Sequence, residues 1–549
     1  MVLPLQKRKS QIESLKETDF DVVVIGGGIT GAGIALDAAS RGLKTAVFDT
    51  NDFCSGTSGK STKLIHGGLR YLENFQFNLV KKMGQERDII WRNAAHLVFA
   101  APILFPLLKK GRFSKFRLSV AFWIYEKLTG ISKEYKHKFL NKKETVEKEP
   151  LLNSPELIGA GMYYEYKTSD SRLVIEILKK ASELGAVVIN YAGISGFIKE
   201  ESWISGVLIN DSISGQRFRV KSNFVVNATG PWLDYIRTYE NPNVAKKLVL
   251  SKGIHLVVDQ KSFPLHFACY FDAPDKRLVF AIPRSNKVYI GTTDNFYCGE
   301  NSPVETRLEE INYLLNCINN IFIGSKIGIN QVESVWAGLR PLIWKKGKKP
   351  GDLSRKDKIF IEKSGLISVA GGKLTGYRIM AKKVVDHITK CMGVKNEKPC
   401  ITLNIPVSGA NFKFEPKLHN LIDYCDSRYD EAKQAGIDAF AFKKLFYRYG
   451  TNIETITEKV YELLPNNKNT DVWIKAEIWY AVNYEMCYTL SDFLIRRTEA
   501  IFFEPKFVRK HMYEIAGFMA EFLEWDDMTK GKELTLFKET CLKHHRIQF

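Results

Sequence analysis

A glycine-rich turn directly behind an apolar run constrains the fold of this chain more than any other feature. Residues 22–25 (VVVI) are followed by the turn GGGITG at 26–31, and a second apolar run, TAVF at 45–48, ends at Asp49. This order predicts a buried parallel strand, a tight turn and the start of a helix. Free N–H groups at such a helix start can receive a pyrophosphate, and the carboxylate can accept a ribose hydroxyl. The opening segment therefore predicts a dinucleotide site.

Each glycine of the turn has its own physical reason. Gly26 permits the tight bend, Gly28 lets the backbone approach a pyrophosphate, and Gly31 lets the helix pack on the strand. A glycine motif alone is a weak signal, because glycine-rich turns also occur in ordinary loops. Here the strand, the turn, the helix pattern and the acidic strand end agree, which favours the dinucleotide interpretation.

Composition and charge bound the class of protein. The chain has 549 residues, 45% hydrophobic and 26% charged, which is typical of a globular protein of two or three domains. No run approaches the roughly 20 apolar residues that span a bilayer, and the charged N-terminal segment does not resemble a secretory signal. The nine cysteines form no CxxC pair. We therefore expect a reducing, cytoplasmic compartment, no disulfide scaffold and no metal site.

The formal net charge of +19 suits an anionic substrate, an anionic lipid surface or nucleic acid. No helix-turn-helix, finger or RNA-binding signature accompanies this charge, so we expect no nucleic-acid partner. Much of the excess is scattered lysine, and a lysine-rich solvated surface explains it equally well.

The rest of the chain alternates predicted strands and helices. A helical pattern covers 79–95, and a further helix is expected to start near Lys373. A polar linker, 395–416, precedes a helical C-terminal region. Strand-like runs lie at 224–227, 254–258, 278–282, 288–292 and 366–370.

The segment 97–128 combines apolar clusters with a run of basic residues. These basic residues are Lys109, Lys110, Arg112, Lys115 and Arg117. The segment could lie on an anionic bilayer, with the basic residues at the headgroups and the aromatic residues below them. It could equally be an excursion of a substrate domain whose apolar side chains face the protein core.

Several longer motifs carry a family resemblance. They are KLIHGGLRYLE at 63–73, NATGPW at 227–232, KGIHLVV at 252–258, IGTTD at 290–294, GLRPL at 338–342, GGKLTGYR at 371–378 and YAVNYEMCYTLSDFLIRRT at 480–498. In these motifs the chain resembles the FAD-dependent glycerol-3-phosphate dehydrogenases, in the flavoprotein group that includes D-amino acid oxidase and glycine oxidase. The resemblance covers nearly the whole chain.

The resemblance implies FAD as the cofactor. Because FAD is long, one glycine turn holds only its adenine and pyrophosphate half, and other segments must hold the flavin. The runs at 224–227 and 366–370 end in glycine-containing turns, and a helix opening at Lys373 would aim its N-terminal dipole at the flavin. A purely structural strand and helix is the alternative. The expected cofactor contacts are Gly26, Gly28, Ile29, Thr30, Gly31, Asp49, Thr57, Ser58, Ser61, Lys63, Leu64, His66, Gly230, Gly372, Lys373, Leu374 and Thr375.

Oxidation of glycerol 3-phosphate needs an anion clamp, a base for the C2 hydroxyl proton and a hydride acceptor. Arginine suits the clamp because its planar fork can bind phosphate oxygens bidentately. The resemblance implies a substrate pocket lined by Arg70, Tyr71, His255, Arg340 and Arg355, and a catalytic set of His255, Arg340, Lys373 and Arg70. His255 is the best general base by residue type. Arg340 could instead polarise the hydroxyl while Lys373 or His66 supports the flavin, and these alternatives stay open.

The predicted fold class is α/β: a Rossmann-like FAD-binding domain with an inserted β-rich substrate domain and a C-terminal helical cap. The FAD-binding domain is predicted from three segments, 18–96, 155–235 and 355–394. The substrate domain takes 97–154 and 236–354, with 97–128 as a candidate for a membrane-facing segment. The linker takes 395–416 and the helical domain 417–549.

The predicted reaction is oxidation of sn-glycerol 3-phosphate to dihydroxyacetone phosphate, with hydride transfer to FAD and electron transfer to a membrane quinone. The protein would attach peripherally to the inner face of the cytoplasmic membrane, on anionic lipid, and a homodimer is one arrangement that the sequence allows. The alternatives are a soluble oxidase that produces hydrogen peroxide, an amino-acid oxidase-like flavoenzyme, and a flavin-containing protein that binds RNA or lipid without turning over small alcohols.

Overall fold

The computed structural model describes residues 8–69, 72, 75–109, 111–131, 133–275, 277–299, 304–345, 357–393, 398–464 and 472–544. The strands are β1 (Asp19–Ile25), β2 (Thr45–Phe48), β3 (Leu64–Ile65), β4 (Val98–Leu108), β5 (Lys138–Asn141), β6 (Leu157–Thr168), β7 (Val187–Ile189), β8 (Ala192–Glu200), β9 (Trp203–Asp211), β10 (Arg217–Asn227), β11 (Leu248–Asp259), β12 (Ala268–Asp272), β13 (Leu278–Arg284), β14 (Lys287–Gly291), β15 (Asn295–Tyr297), β16 (Val332–Ile343), β17 (Lys358–Ile361) and β18 (Ile367–Ala370).

The helices divide between those that cover the sheets and those of the C-terminal region. The first group is α1 (Arg8–Glu17), α2 (Ile29–Ser40), α3 (Phe77–Asn93), α4 (Lys115–Thr129), α5 (Lys142–Lys148), α6 (Asp170–Glu183), α7 (Leu233–Thr238), α8 (Leu308–Ile321) and α9 (Tyr377–Met392). The second is α10 (Leu418–Gln434), α11 (Ala439–Tyr449), α12 (Ile453–Leu463), α13 (Val472–Glu485), α14 (Ala500–Phe503), α15 (Pro505–Leu523) and α16 (Asp527–His544).

The first sheet is built around β1. Its order is β17-β18-β10-β1-β2-β7, and β1 pairs in parallel with β10 and β2, so that Val24 lies between Val226 and Val47. Both faces of these strands are buried, which explains their continuous apolar runs. Helices α2, α6 and α9 pack on one face. The arrangement brings the carboxyl ends of β1, β10 and β18 to one edge, where open α/β sheets bind ligands.

The second sheet supplies the opposite part of the molecule. Its order is β15-β11-β14-β13-β12-β4-β6-β3, with β16 paired to β11 and β5 paired to β6. The long antiparallel pair of β11 and β16 runs from Leu248 opposite Ile343 to Val258 opposite Val332. The C-terminal helices α13 to α16 pack against this sheet, and their apolar side chains share a core with it.

The fold-class prediction is confirmed, and the predicted strands lie within or overlap β10, β11, β13, β14 and β18. The domain boundaries stay a prediction. Strand β6 pairs with β4 in the second sheet, although the predicted segment 155–235 assigned it to the FAD-binding domain. Among the described residues, no helix combines the length and apolar character that crossing a bilayer requires.

The segment 97–128 contains two different elements. Strand β4 buries Val98, Ile103, Leu104 and Phe105 inside the second sheet, as the interpretation of a core-facing excursion expects. Helix α4 buries its other face and leaves several apolar side chains at the surface. A membrane-facing role therefore concerns α4 and the basic residues before it, and not β4.

Candidate functional site

A cleft of about 3150 Å³ is lined by residues of both sheets. Its lining includes most of the residues predicted to hold the cofactor or the substrate. They are Gly26, Gly28, Ile29, Thr30, Asp49, Thr57, Ser58, Ser61, Leu64, His66, Gly230, His255, Arg340, Gly372, Lys373, Leu374 and Thr375. The fold thus gathers segments that are hundreds of residues apart into one site.

Five predicted residues stand apart from this group. Gly31 lies behind the turn, inside α2, and Lys63 turns its side chain into the protein, where it pairs with two carboxylates. A cofactor contact by Lys63 stays a prediction that only its backbone could fulfil. Arg70, Tyr71 and Arg355 lie outside the described residues.

The glycine turn has the tight geometry that its sequence predicts. Gly26 has a φ of +105°, and a Cβ on it would lie 2.8 Å from the Ala228 carbonyl oxygen. A Cβ on Gly31 would lie 1.9 Å from the Gly26 carbonyl oxygen, so the helix could not pack on the strand. Gly28 is the most open of the three, because its added Cβ would meet only the Ser58 hydroxyl, at 3.1 Å. The turn therefore presents bare backbone to the cleft at Gly28.

The acidic strand end is tied to the same turn. The Asp49 carboxylate accepts hydrogen bonds from the Gly27 N–H at 2.7 Å and from the Asn51 N–H at 3.0 Å. Burial raises the pKa of Asp49 to about 7, against the lowering effect of these backbone donors. The carboxylate can thus gain or lose its proton near neutral pH.

A short 3₁₀ turn, Thr57–Lys60, closes the site from the other side. The Ser58 hydroxyl accepts a hydrogen bond from the Ile29 N–H at 3.0 Å, at the start of α2. The Thr57 hydroxyl donates to the Leu339 carbonyl oxygen of β16 at 2.6 Å. This turn therefore joins the glycine turn to the second sheet.

The segment behind β18 supplies the third part of the cleft. Gly371 and Gly372 have φ values of +72° and +79°, and a short 3₁₀ turn, Leu374–Gly376, precedes α9. The α-helix thus begins at Tyr377 and not at Lys373, because this 3₁₀ turn intervenes. The Thr375 hydroxyl donates to the His66 carbonyl oxygen at 3.2 Å, which joins this turn to the 63–73 motif.

Arg340 is held in a fixed position by polar groups around it. Its guanidinium donates to the Thr293 carbonyl oxygen at 3.1 Å, the Thr292 hydroxyl at 2.8 Å and the Asp294 carboxylate at 3.3 Å. A Cβ on Gly253 of β11 would lie 2.2 Å from the guanidinium, so this glycine makes the space that the fork occupies. A fixed, solvent-accessible fork suits recognition of an anion.

His255 is buried on β11, where its ring contacts Thr62 at one end and Trp336 on one face. A hydrogen bond of 3.1 Å joins its Nε2 to the Thr62 hydroxyl, and its ring stacks on Trp336 at 4.7 Å between centroids. Burial lowers the pKa of His255 well below its usual value, and the charges of Arg340 and Lys63 lower it further. The imidazole is therefore neutral at physiological pH and can accept a proton.

Sequence reasoning missed several residues that shape this site. Gly253 and Gly291 make room for Arg340 and His255, and a glycine inside a strand pattern is a signal of such close approach. The Glu165 carboxylate accepts the Gly67 N–H at 3.1 Å and supports the glycine pair of the 63–73 motif. No local signal marks Glu165, because its partner lies far away in the chain.

The cleft fits a dinucleotide along its first sheet. The Gly28 backbone, the Ser58 hydroxyl and the Asp49 carboxylate lie together at the carboxyl ends of β1 and β2, where a pyrophosphate and a ribose are bound in such folds. Gly371 and Gly372 leave backbone free of side chains at the other end. The fold and the cleft define a class: an α/β oxidoreductase with a dinucleotide cofactor and a substrate sheet facing it.

Comparison with known families narrows this class. The chain belongs to the FAD dependent oxidoreductase family, and residues 21–378 match the sequence model of that family. FAD is therefore its cofactor. Residues 400–530 match the C-terminal domain of alpha-glycerophosphate oxidase.

Two glycerol-3-phosphate dehydrogenases match almost the whole chain, and a glycine oxidase shares the fold over part of it. The chain is 41% identical over 531 residues to the aerobic glycerol-3-phosphate dehydrogenase of Bacillus subtilis strain 168, covering 96% of this chain and 95% of that relative. It is similar in fold to the glycerol-3-phosphate dehydrogenase of Bacillus halodurans complexed with FAD, with a TM-score of 0.84, 37% identity and 98% of each chain covered. Glycine oxidase from Geobacillus kaustophilus shares the fold over 68% of this chain and 95% of its own, with a TM-score of 0.52 and 20% identity.

Proposed function

We propose that the protein is an FAD-dependent dehydrogenase that oxidises sn-glycerol 3-phosphate to dihydroxyacetone phosphate. One observation carries the proposal: a fixed arginine and a neutral, buried histidine line the same cleft from the paired strands β16 and β11. The names of the 41% and 37% identical relatives support glycerol 3-phosphate as the substrate. The arginine matches its phosphate group, and the histidine matches its C2 hydroxyl.

The two residues have complementary tasks in this mechanism. Arg340 binds an anionic oxygen of the substrate with its planar fork, which Asp294 and Thr292 hold in place. His255 accepts the proton of the C2 hydroxyl, because its imidazole is neutral and its Nδ1 has no hydrogen-bond partner among the described residues. FAD, when bound, supplies the acceptor for the hydride that leaves C2. Arg70, Tyr71 and Arg355 stay proposed substrate contacts.

The residues around the cofactor are assigned in the same way. Gly28, Ser58 and Asp49 would hold the pyrophosphate and the ribose, and Gly372 to Thr375 would face the flavin. Lys373 and His66 support the flavin in this proposal.

Anaerobic reduction of the bound flavin tests the reaction. We expect glycerol 3-phosphate to bleach the visible flavin absorbance, while glycerol and lactate leave it unchanged, because they lack the phosphate that Arg340 binds. Inorganic phosphate should slow the bleaching by competition. Bleaching by an amino acid, and none by glycerol 3-phosphate, would replace the proposal with an amino-acid oxidase.

We propose a membrane quinone as the electron acceptor. The word aerobic in the names of the relatives supports a respiratory acceptor for this chain. Reoxidation of the reduced enzyme by a soluble quinone analogue should be much faster than reoxidation by oxygen. Stoichiometric peroxide release without an added acceptor would favour the soluble oxidase instead.

Helix α4 supports peripheral attachment to the inner face of the cytoplasmic membrane. Its exposed face carries Phe116, Val120 and Trp123, with 77%, 42% and 58% of their surfaces accessible. The spacing of these residues places them on one stripe. Lys115 and Arg117 lie exposed beside this stripe, so the helix suits an anionic lipid surface. A homodimer stays a prediction.

A further inference from the structure

A group of buried charges lies behind the substrate end of the cleft. The Lys63 ammonium forms ion pairs with Asp170 at 2.7 Å and with Glu499 at 2.6 Å, and Arg284 pairs with Glu499 at 2.5 Å. The Lys63 and Asp170 side chains are fully buried, and Glu499 is nearly so. Buried ion pairs often add little stability compared with apolar packing. Their presence at this place calls for a role other than stability.

The charges fix the course of one short loop. Lys63 has a φ of +56°, a left-handed conformation that is uncommon for a residue with a side chain. Asp170 also accepts hydrogen bonds from the Ser61 N–H at 3.0 Å and the Ser61 hydroxyl at 2.7 Å. Residues 61–63 are therefore held at both ends by the same carboxylate.

This loop contacts both His255 and the indole beneath it. The Trp336 Nε1–H donates to the Ser61 carbonyl oxygen at 3.3 Å, and the Thr62 hydroxyl is bonded to the His255 ring. The Lys63 ammonium lies 5.5 Å from the centroid of the Trp336 ring, within the range of a cation–π contact. Residues 61–63 thus contact the Trp336 indole in two places: the Ser61 carbonyl oxygen binds its N–H, and the Lys63 ammonium lies over its ring.

Trp336 in turn fixes the plane of the imidazole. The two rings are nearly parallel, with an angle of 10° between their planes. Trp336 is fully buried, and Phe502 and Tyr289 pack against it from α14 and β14. The His255 ring therefore packs on Trp336, which in turn packs on Phe502 of the C-terminal region.

We propose that Lys63 and Trp336 are positioning residues for His255, and that Glu499 anchors this support from the C-terminal region. The inference rests on the proposed function for the identity of the reaction that His255 serves. It extends that function by giving the ion group and the C-terminal region a task in the orientation and charge state of the base. None of these side chains is required to touch the substrate.

The electrostatics agree with this arrangement. The cations that face His255 are Arg340 from β16 and Lys63 from the loop, and both oppose a proton on the imidazole. Behind Lys63 lie Asp170 and Glu499, whose charges raise its pKa against the lowering effect of burial, so it stays protonated. Arg284 lies beside Glu499, and the neutral Tyr289 phenol faces Trp336. Removal of the Lys63 charge should therefore make His255 easier to protonate.

The first test measures the titration of His255 in the FAD-loaded protein. Histidine is labelled with 13C, and His255→Asn identifies its NMR signal. In Lys63→Met we expect the midpoint to rise by about one pH unit or more, while Lys63→Arg stays near the wild type. Lys287→Met is the matched control, because Lys287 is also buried between two carboxylates but contacts neither His255 nor Trp336. An unchanged midpoint in folded Lys63→Met, or an equal shift in Lys287→Met, would overturn the proposal.

The second test uses Trp336→Leu and Glu499→Gln, which keep Lys63 and decide the matter if Lys63→Met does not fold. We expect kcat of Trp336→Leu to fall by about tenfold or more, with KM changed by less than about threefold, because substrate binding by Arg340 persists. Glu499→Gln should lower kcat in the same way and to a smaller extent. Unchanged kcat in both variants would contradict the proposal. The NMR titration needs no substrate, so it can succeed even if glycerol 3-phosphate proves not to be the substrate.

Discussion

The two ends of the cleft are built on different principles. At the dinucleotide end, glycines of residues 26–31 let the backbone pass close to its neighbours, and backbone N–H groups of this turn donate to Asp49 and Ser58, 22 and 29 residues further along the chain. At the substrate end, His255 and Arg340 are side chains on strands, and their supports come from residues 61–63, from β14 and from the C-terminal region.

This difference predicts different kinds of failure. A backbone site fails when an atom is added where the chain must pass close to itself, so its sensitive residues are glycines. A side-chain site fails when a charge or a supporting ring is removed, and the cofactor remains bound. The experiments on Gly31, Arg340 and Asp49 each test one side of this comparison.

The largest effect is expected from Gly31→Ala. Its added Cβ would lie 1.9 Å from a backbone oxygen, so strand and helix must separate and the FAD site must open. The purified protein should be nearly colourless and melt at a lower temperature. Gly28→Ala should lose less flavin than Gly31→Ala, because its added Cβ meets only the Ser58 side chain. The larger side chain of Gly28→Val should remove most of the flavin. Gly324→Ala is the control, since its Cβ meets nothing within 4 Å. Full flavin content in Gly31→Ala would contradict a backbone-built site.

The next effect is expected from Arg340→Ala. The lost charge-assisted hydrogen bonds should cost about 1.5 to 3 kcal/mol each, so kcat/KM for glycerol 3-phosphate should fall at least about tenfold. Flavin content should stay normal, in contrast to Gly31→Ala. Arg340→Lys should recover only part of the loss, because it keeps the charge without the planar fork. The exposed Arg217→Ala serves as the control. Normal kinetics in Arg340→Ala would make Arg340 a packing residue.

At the dinucleotide end, the binding of FAD should depend on pH. With the pKa of Asp49 raised to about 7, the carboxyl group is increasingly protonated below that pH, and the neutral acid accepts ribose hydroxyls less strongly than the carboxylate does. The Kd of the apoprotein for FAD should therefore rise by up to about tenfold per pH unit below 7. The raised pKa also affects stability, because the folded apoprotein binds this proton more tightly than the unfolded chain does. The contribution of Asp49 to the free energy of unfolding therefore falls as the pH rises from 3.8 towards 7.

Asp49→Asn should bind FAD more weakly at pH 8 and lose most of this pH dependence. Asp19→Asn, at the exposed start of the neighbouring strand β1, should behave as the wild type. If the wild-type Kd were flat between pH 8 and pH 6, the ionised carboxylate would not be the form that binds.

The smallest effect on catalysis is expected away from both ends of the cleft, at α4 and the basic residues that precede it. Cosedimentation with anionic liposomes should weaken with salt, and each basic residue near the surface contributes about 1 kcal/mol. The test variant replaces Lys109, Lys110, Arg112, Lys115 and Arg117 with glutamine, of which Lys110 lies outside the described residues. The control variant replaces five exposed basic residues elsewhere, Lys199, Arg217, Arg219, Lys221 and Lys363. Only the test variant should lose binding, and equally negligible sedimentation of the wild type with neutral and anionic liposomes would exclude the membrane proposal.

The accuracy of the sequence predictions follows the same division. The strand before Gly26, the helix behind it and the acidic strand end were predictable, because each depends on neighbours within a few residues. The inward turn of Lys63 was not, since it depends on Asp170 and Glu499. The mixed nature of 97–128 was also missed, because an apolar run does not reveal which sheet will bury it.

The sequence by itself determined the α/β class and the dinucleotide turn, because backbone geometry at glycines and the burial of apolar runs act locally. Only the tertiary structure decided what surrounds His255: the stacked Trp336, the Thr62 hydroxyl and the Lys63 ammonium held by Glu499. The physical reason is that the pKa and orientation of a buried side chain depend on charges and rings within a few ångströms, and folding brings those from distant parts of the chain.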